Sequence, residues 1–334
     1  MVARTYVLIS SNSRQKHEYT GLQLPVTLGH EMSGTVIEVG SSVSAVRIGQ
    51  KCTVNPSVHD QHYGLEPCRN CRAGKTNLCS RWACYGLNAQ GGGLADEIVV
   101  NIASLIPIPA TVSLKVAALC EPLAVALHMI RGSGLQRGHC VLVLGAGPIG
   151  LALLILLKTR GAARVILSEP SETRALKAKE LGADLVINPT EKFGDDEADV
   201  VVHRVHSLTE DGVDVAFDTT GVQATLDTAI RATRSGGTIF NVAIHEKPLL
   251  IDPNLLTLHE KRYMGGICYT NEDFEMVLDA LGDGTLVAEE LITSIVPLED
   301  AVEGAFKQLI YHKEKHVKIL IQPGHRQPGH ISRN

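Results

Sequence analysis

The sequence predicts an α/β protein in which a doubly wound parallel sheet follows a β-rich section. Three observations predict it. Short β-type runs crowd the chain before residue 101, the pattern changes to alternating strands and helices from Val141, and the loop Gly145-Ala146-Gly147-Pro148-Ile149-Gly150 stands between the first strand and first helix of that alternation.

The elements follow in order. Over residues 35–54 the runs TVIEV and KCTV are broken by Gly40 and Gly49, and EIVV at 97–100 adds a third strand. From Val141 come VLVL, a helix over 148–159, VILS and a polar-faced helix over 173–181. Buried apolar strands at 185–187, 213–217 and 238–242 continue with turn residues between them, the rhythm of a doubly wound sheet expected to span 122–262. Residues 263–322 mix strands and helices again, and the polar, His-containing stretch 323–334 reads as a frayed end.

A chain of 334 residues suits two domains, or one domain inserted in another. Hydrophobic residues at 44% and charged residues at 20% are ordinary for a globular enzyme. A net charge of -5 without a basic stripe argues against nucleic acid as a partner. The longest apolar run, 149–157, is about half a bilayer span and follows a glycine loop, so it reads as a buried helix and no membrane is expected. The first ten residues lack a secretory pattern, which points to the cytoplasm. Eight cysteines there suggest metal or free thiols before disulfides, and Cys68, Cys71 and Cys79 are clustered.

The glycine loop carries the clearest chemistry. Behind an apolar strand and at the mouth of a helix, its backbone N–H groups and the helix dipole face a pyrophosphate. Gly145 permits the tight turn, Gly147 allows close phosphate approach, and Gly150 lets helix pack on strand, with Pro148 and Ile149 opening the helix. The next strand ends in Glu169, whose carboxylate suits ribose hydroxyls and repels a 2′-phosphate; Arg174, one turn on, softens that preference. The expected cofactor is therefore NAD. Thr219, within Asp218-Thr219-Thr220-Gly221 at a strand's carboxyl end, is a further candidate contact.

Gly29-His30-Glu31-x-x-Gly34, the three clustered cysteines and the glycine loop together resemble the zinc-containing medium-chain alcohol and polyol dehydrogenase family. The segments EPLAV at 121–125, VAIHEKP at 242–248 and GICY at 266–269 are similar to its butanediol dehydrogenase and sorbitol dehydrogenase branch. The resemblance implies a Rossmann NAD-binding domain over 122–262, inserted in a GroES-like catalytic domain formed by 1–121 and 263–334, with the active site in the cleft between them. It implies His30, Glu31 and Glu121 as metal and catalytic residues, Ala243 and Ile244 facing the nicotinamide, and a homo-oligomer of two or four chains. Zinc suits the imidazole and carboxylates, and three protein ligands leave a position open for substrate oxygen. The implied reaction is NAD-linked oxidation of a secondary alcohol or vicinal diol, 2,3-butanediol first and a sugar alcohol second.

Three departures from the family pattern stand out. The upstream Gly-x-Cys-Gly-[Ser/Thr]-Asp segment is replaced, with Asn12 at the cysteine, Arg14 at the relay hydroxyl and Gln15 at the aspartate, before the matching His17-Glu18-Tyr19. Residues 1–16 thus read as an atypical or truncated start. An alternative function follows from it: an NAD-binding chain that does not turn over, an inactive isoform or oligomer partner lacking the first zinc ligand. A zinc-independent reductase is a third reading, against which His30, Glu31 and Glu121 argue. In the structural-zinc pattern Cys-x2-Cys-x2-Cys-x7-Cys, Leu65 takes the first position; His62 and Cys84 are the candidates for a fourth ligand, and a metal-free loop is the other reading. Gln50 replaces a turn aspartate, a small structural change. Cys120, Cys140 and Cys268 read as buried small hydrophobes, and Lys318, in a His-Val-Lys-Ile-Leu ending common in the branch, as a solvated strand lysine.

Overall fold

The computed structural model describes residues 2–4, 26–191 and 199–324. Asn12, Arg14, Gln15, His17, Glu18, Tyr19 and the expected frayed end lie outside the described residues, apart from Pro323 and Gly324. Two compact units divide the chain: Met1–Glu121 with Thr270–Asp283 and Ile292–Asn334, and Pro122–Tyr269 with Gly284–Leu291.

In the second unit six parallel strands lie in the order Arg262–Gly265, Thr233–Asn241, Val213–Asp218, Cys140–Leu144, Arg164–Ser168, Leu185–Ile187. The first strand in sequence is therefore central, and the strand order reverses between it and Val213–Asp218, where Asp218 pairs with Leu144. In open α/β sheets that reversal marks the ligand crevice. CVLVL and VDVAFD are buried on both faces because helices cover both faces of a parallel sheet. The helix Pro148–Thr159 starts with proline at its first turn and buries every residue from Gly150 to Leu157, so it is apolar all round. The sheet runs to Gly265, past Arg262 where the sequence pattern ends it.

The first unit carries a sheet ordered Ile292–Pro297, Lys318–Gln322, Val2–Arg4, Glu31–Thr35, Lys51–Val54, Leu105–Pro107. Met32 and Val54 centre one small core, with Tyr85, Leu94, Ile98, Val100 and Leu105 packed on it. Here two strand expectations fail. TVIEV contributes only Thr35 to a strand, and Ile37 is 59% exposed. EIVV at 97–100 forms no strand: Ile98 and Val100 pack on the Met32 core while Val99 is 92% exposed. Alternation reports which side chains are buried, and it cannot report whether a partner strand is there to take the N–H groups. Gln50 closes its turn, accepting the N–H of Arg47 at 3.1 Å.

The lysine and cysteine expectations also need correction. Lys318 is 2% exposed, because its strand is interior to the sheet and its side chain meets Glu31. Cys120 is buried, but Cys140 and Cys268 are only half-buried. Cys140 begins its strand at the sheet's amino edge, and Cys268 sits in a turn with φ 53°.

Candidate active site and metal centres

The glycine loop leaves the central strand at Leu144, with Gly145 at φ 99° and its N–H donated to the Ser168 carbonyl at 2.8 Å. A Cβ on Gly145 would meet Thr219 Oγ1 at 2.8 Å, and one on Gly150 would run into the Gly145 carbonyl oxygen. A Cβ on Gly147 would meet nothing within 4 Å, so that glycine leaves open the space a pyrophosphate needs above the helix N-terminus. Pro148 and Ile149 form the first turn beneath it, and Thr219 is tied to the loop through its hydroxyl, donated to the Leu144 carbonyl at 2.7 Å.

Glu169 lies at the end of the next strand, 5% exposed, and its carboxylate accepts the N–H of Ala146 at 2.7 Å and of Ser171 at 2.9 Å. It thereby braces the glycine loop. Arg174 stands half-buried on the helix Glu172–Glu180. Beyond the next strand, Ala243 donates its N–H to the Asp218 carbonyl and Ile244 is 59% exposed. That loop is fixed by residues the sequence reading did not single out: Asn241 donates to the Ala243 carbonyl at 3.0 Å, and His245 reaches Asn241 Oδ1 at 2.8 Å and the Gly221 carbonyl at 3.1 Å. No spacing rule joins a strand-end amide to a loop imidazole.

In the first unit, ligand atoms of His30, Glu31 and Glu121 lie within 4.8 Å of one another. His30 and Glu31 enter the strand Glu31–Thr35 behind Gly29, whose φ of 97° suits glycine and whose Cβ would sit 2.8 Å from the Leu94 nitrogen. Glu121 is in the first turn of the helix Cys120–Gly132, where a carboxylate complements the helix dipole. Glu31 and Glu121 are 3% and 7% exposed. Lys318 Nζ contacts Glu31 Oε1 at 2.9 Å and Oε2 at 2.7 Å, a buried ion pair that fixes one carboxylate of the cluster. One imidazole and two carboxylates form a donor set that fits a catalytic zinc with an open position.

A second cluster gathers Asp60, Cys68, Cys71 and Cys79, again within 4.8 Å. Neither expected fourth partner belongs to it: His62 Nε2 lies 2.9 Å from Ser104 Oγ, and Cys84 Sγ is directed to the Tyr85 carbonyl. Asp60 is fully buried. Its Oδ2 accepts the Cys68 N–H at 2.6 Å, and its Oδ1 accepts Arg81 Nε at 2.6 Å and the Cys79 thiol at 3.2 Å. The Cys68 N–H and the neighbouring thiols hold this carboxyl well below the usual range. Backbone N–H groups of Cys71 and Ser80 bring the Cys68 thiol down to about 7, whereas burial pushes Cys71 up to about 12. Sequence spacing missed Asp60 because it precedes the cysteine run and belongs to a separate short helix, Asp60–Tyr63.

The profile described as Zinc-binding dehydrogenase matches residues 148–283, and that described as Alcohol dehydrogenase GroES-like domain matches 7–110. The (R,R)-butanediol dehydrogenase of Saccharomyces cerevisiae is 38% identical over 320 residues, covering 92% of this chain and 83% of the relative. The crystal structure of 2R,3R-butanediol dehydrogenase from Bacillus subtilis superposes with a TM-score of 0.82 at 35% identity, covering 93% of this chain and 84% of that one. A short chain alcohol dehydrogenase from E. coli CFT073, complexed with NADH, gives a TM-score of 0.80 at 26% identity, with 88% and 83% covered.

Proposed function

The chain belongs to the zinc-binding alcohol dehydrogenases with a GroES-like domain, and from that membership we propose that it oxidises a vicinal diol of the 2,3-butanediol kind with NAD. The observation that carries the reading is the set of a half-buried His30 with the buried Glu31 and Glu121, held on a chain that also has a complete glycine loop. When bound there, zinc supplies Lewis acidity to the alcohol oxygen and NAD accepts the hydride.

The chain's own residues do the rest. His30, Glu31 and Glu121 give a mixed nitrogen and oxygen donor set, and Lys318 holds Glu31 in place through the buried pair. Gly147 leaves room for the pyrophosphate, Glu169 braces the loop and selects against a 2′-phosphate, and Asn241 with His245 fixes the backbone of Ala243 and Ile244. The names of the butanediol dehydrogenases support the diol as substrate class. The family resemblance supports a homo-oligomer of two or four chains; among the described residues, no helix is long and apolar enough to cross a membrane.

The test is metal content together with NADH formation. The reading expects zinc that tracks His30 and Glu121, and NADH formed with 2,3-butanediol faster than with sorbitol. NAD binding with neither zinc at that cluster nor turnover overturns it.

A further inference from the structure

We propose that Asp60 is the fourth ligand of a zinc ion held by Cys68, Cys71 and Cys79, and that Arg81 positions its carboxylate. Three thiolates alone do not close a tetrahedral zinc site. Leu65, at the position where a first thiolate would stand, carries no donor atom and is 48% exposed. The structure supplies the missing donor from elsewhere in the fold. At ordinary zinc bond lengths, tetrahedral corners lie about 3.8 Å apart for two sulfurs and about 3.5 Å apart for a sulfur and an oxygen. Cys68 Sγ and Cys79 Sγ are 4.0 Å apart, and Cys79 Sγ is 3.2 Å from Asp60 Oδ1. These two edges lie close to those of such a site, and all four donors, Cys71 included, lie within 4.8 Å of one another.

Burial argues the same way. A carboxylate removed from water needs strong compensation, and Asp60 is fully buried. Arg81 Nε and the Cys68 N–H take one direction on each oxygen and fix the carboxylate plane, while Arg81 is itself anchored on the Glu66 carbonyl at 2.9 Å. Three thiolates and a carboxylate exceed the charge of one zinc ion, and the guanidinium offsets part of that excess, the task of an outer partner in a metal site. His62 and Cys84 have their donor atoms directed elsewhere. The site shares no residue with the His30 cluster, so it stands or falls apart from the proposed reaction.

The test loads the full chain with cobalt(II) in place of zinc. A thiolate-to-cobalt charge-transfer band reports this site alone, because the His30, Glu31 and Glu121 set contains no sulfur. The parent is expected to show the band. Asp60→Asn should lose cobalt to a chelator more than about ten-fold faster, and Asp60→Cys should keep the metal with a stronger sulfur signature. No band in the parent, or a band equally resistant to chelation in Asp60→Asn, overturns the proposal. If Asp60→Asn does not fold, X-ray absorption on zinc in a His30→Ala, Glu121→Ala chain decides by its sulfur count: three sulfurs with one light ligand, rising to four sulfurs when Asp60→Cys is added, support Asp60. An imidazole signature at the light ligand, three sulfurs in both chains, or no bound zinc overturns it.

Discussion

Glu31 and Asp60 of the first unit and Glu169 and Asp218 of the second are buried carboxylates held in different ways. In the first, Glu31 and Asp60 are each fixed by a side-chain cation, Lys318 and Arg81, and each belongs to a cluster of metal-ligand type. In the second, Glu169 is fixed by the N–H groups of Ala146 and Ser171, and Asp218 by the N–H and hydroxyl of Thr220 and the hydroxyl of Thr225. A cation fixes a carboxylate while leaving lone pairs for a metal. An N–H pair instead ties the carboxylate to the loop it organises, which suits a rigid phosphate cradle. The cations differ as well: Lys318 is 2% exposed and Arg81 45%, so only the first pair is removed from water on both sides.

The largest effect expected tests what the first-unit carboxylates are for. His30→Ala or Glu121→Gln should lower kcat/KM for diol oxidation about a thousand-fold, the scale of losing Lewis-acid assistance of several kcal/mol. Parent-like NADH formation in either variant would detach the cluster from the chemistry.

Next comes the contrast between the cations. Lys318→Met strands the buried Glu31 and should cost about 3–5 kcal/mol in urea unfolding, with part of the loss recovered in the Lys318→Met, Glu31→Gln double variant. Arg81→Met should lower Tm by less than half as much, since water solvates its partly exposed guanidinium. Equal falls in Tm would erase the distinction.

In the second unit, Glu169→Gln leaves one loop N–H facing an amide donor. A cost of about 1–3 kcal/mol in stability or NADH affinity follows, together with a higher NADP-to-NAD ratio of kcat/KM. An unchanged ratio would leave Glu169 as a loop brace alone.

The smallest effect concerns Asp214, where burial alone would raise the carboxyl but Arg234 and the Cys140 N–H lower it below its usual value. A depressed folded-state pKa adds stability above the unfolded value of about 3.9, lost as pH falls through the folded value. Asp214→Asn should therefore unfold about 1 kcal/mol more easily at pH 7, and the gap in Tm should narrow as pH falls below the unfolded value of about 3.9. A gap that widened on acidification would reverse the sign.

The glycine loop was legible because its function is local. Strand, turn and helix follow one another within residues 141–159; Gly145 and Gly150 answer to neighbours in that stretch or in the adjoining strand end, and Gly147 leaves open space. The grouping of His30, Glu31 and Glu121 was legible only through family resemblance, since no local pattern joins residue 31 to residue 121. Lys318 was misread for a physical reason. A lone lysine in an apolar strand has no visible partner in sequence, and its counter-charge lies 287 positions away. EIVV failed in the opposite sense: the burial pattern was right, but the ladder it seemed to promise needs a second strand.

Sequence by itself determined the parallel α/β unit, the phosphate loop and the stock of imidazole, carboxylate and thiol ligands, because periodicity and side-chain chemistry belong to residues one at a time or to close neighbours. Tertiary structure alone decided which charge meets which. It buried Lys318 against Glu31, brought Asp60 rather than His62 or Cys84 to the three cysteines, and turned Glu169 onto its own loop. A buried polar group must find its partner wherever the fold puts one, and that choice is made by packing between strands and loops far apart in the chain.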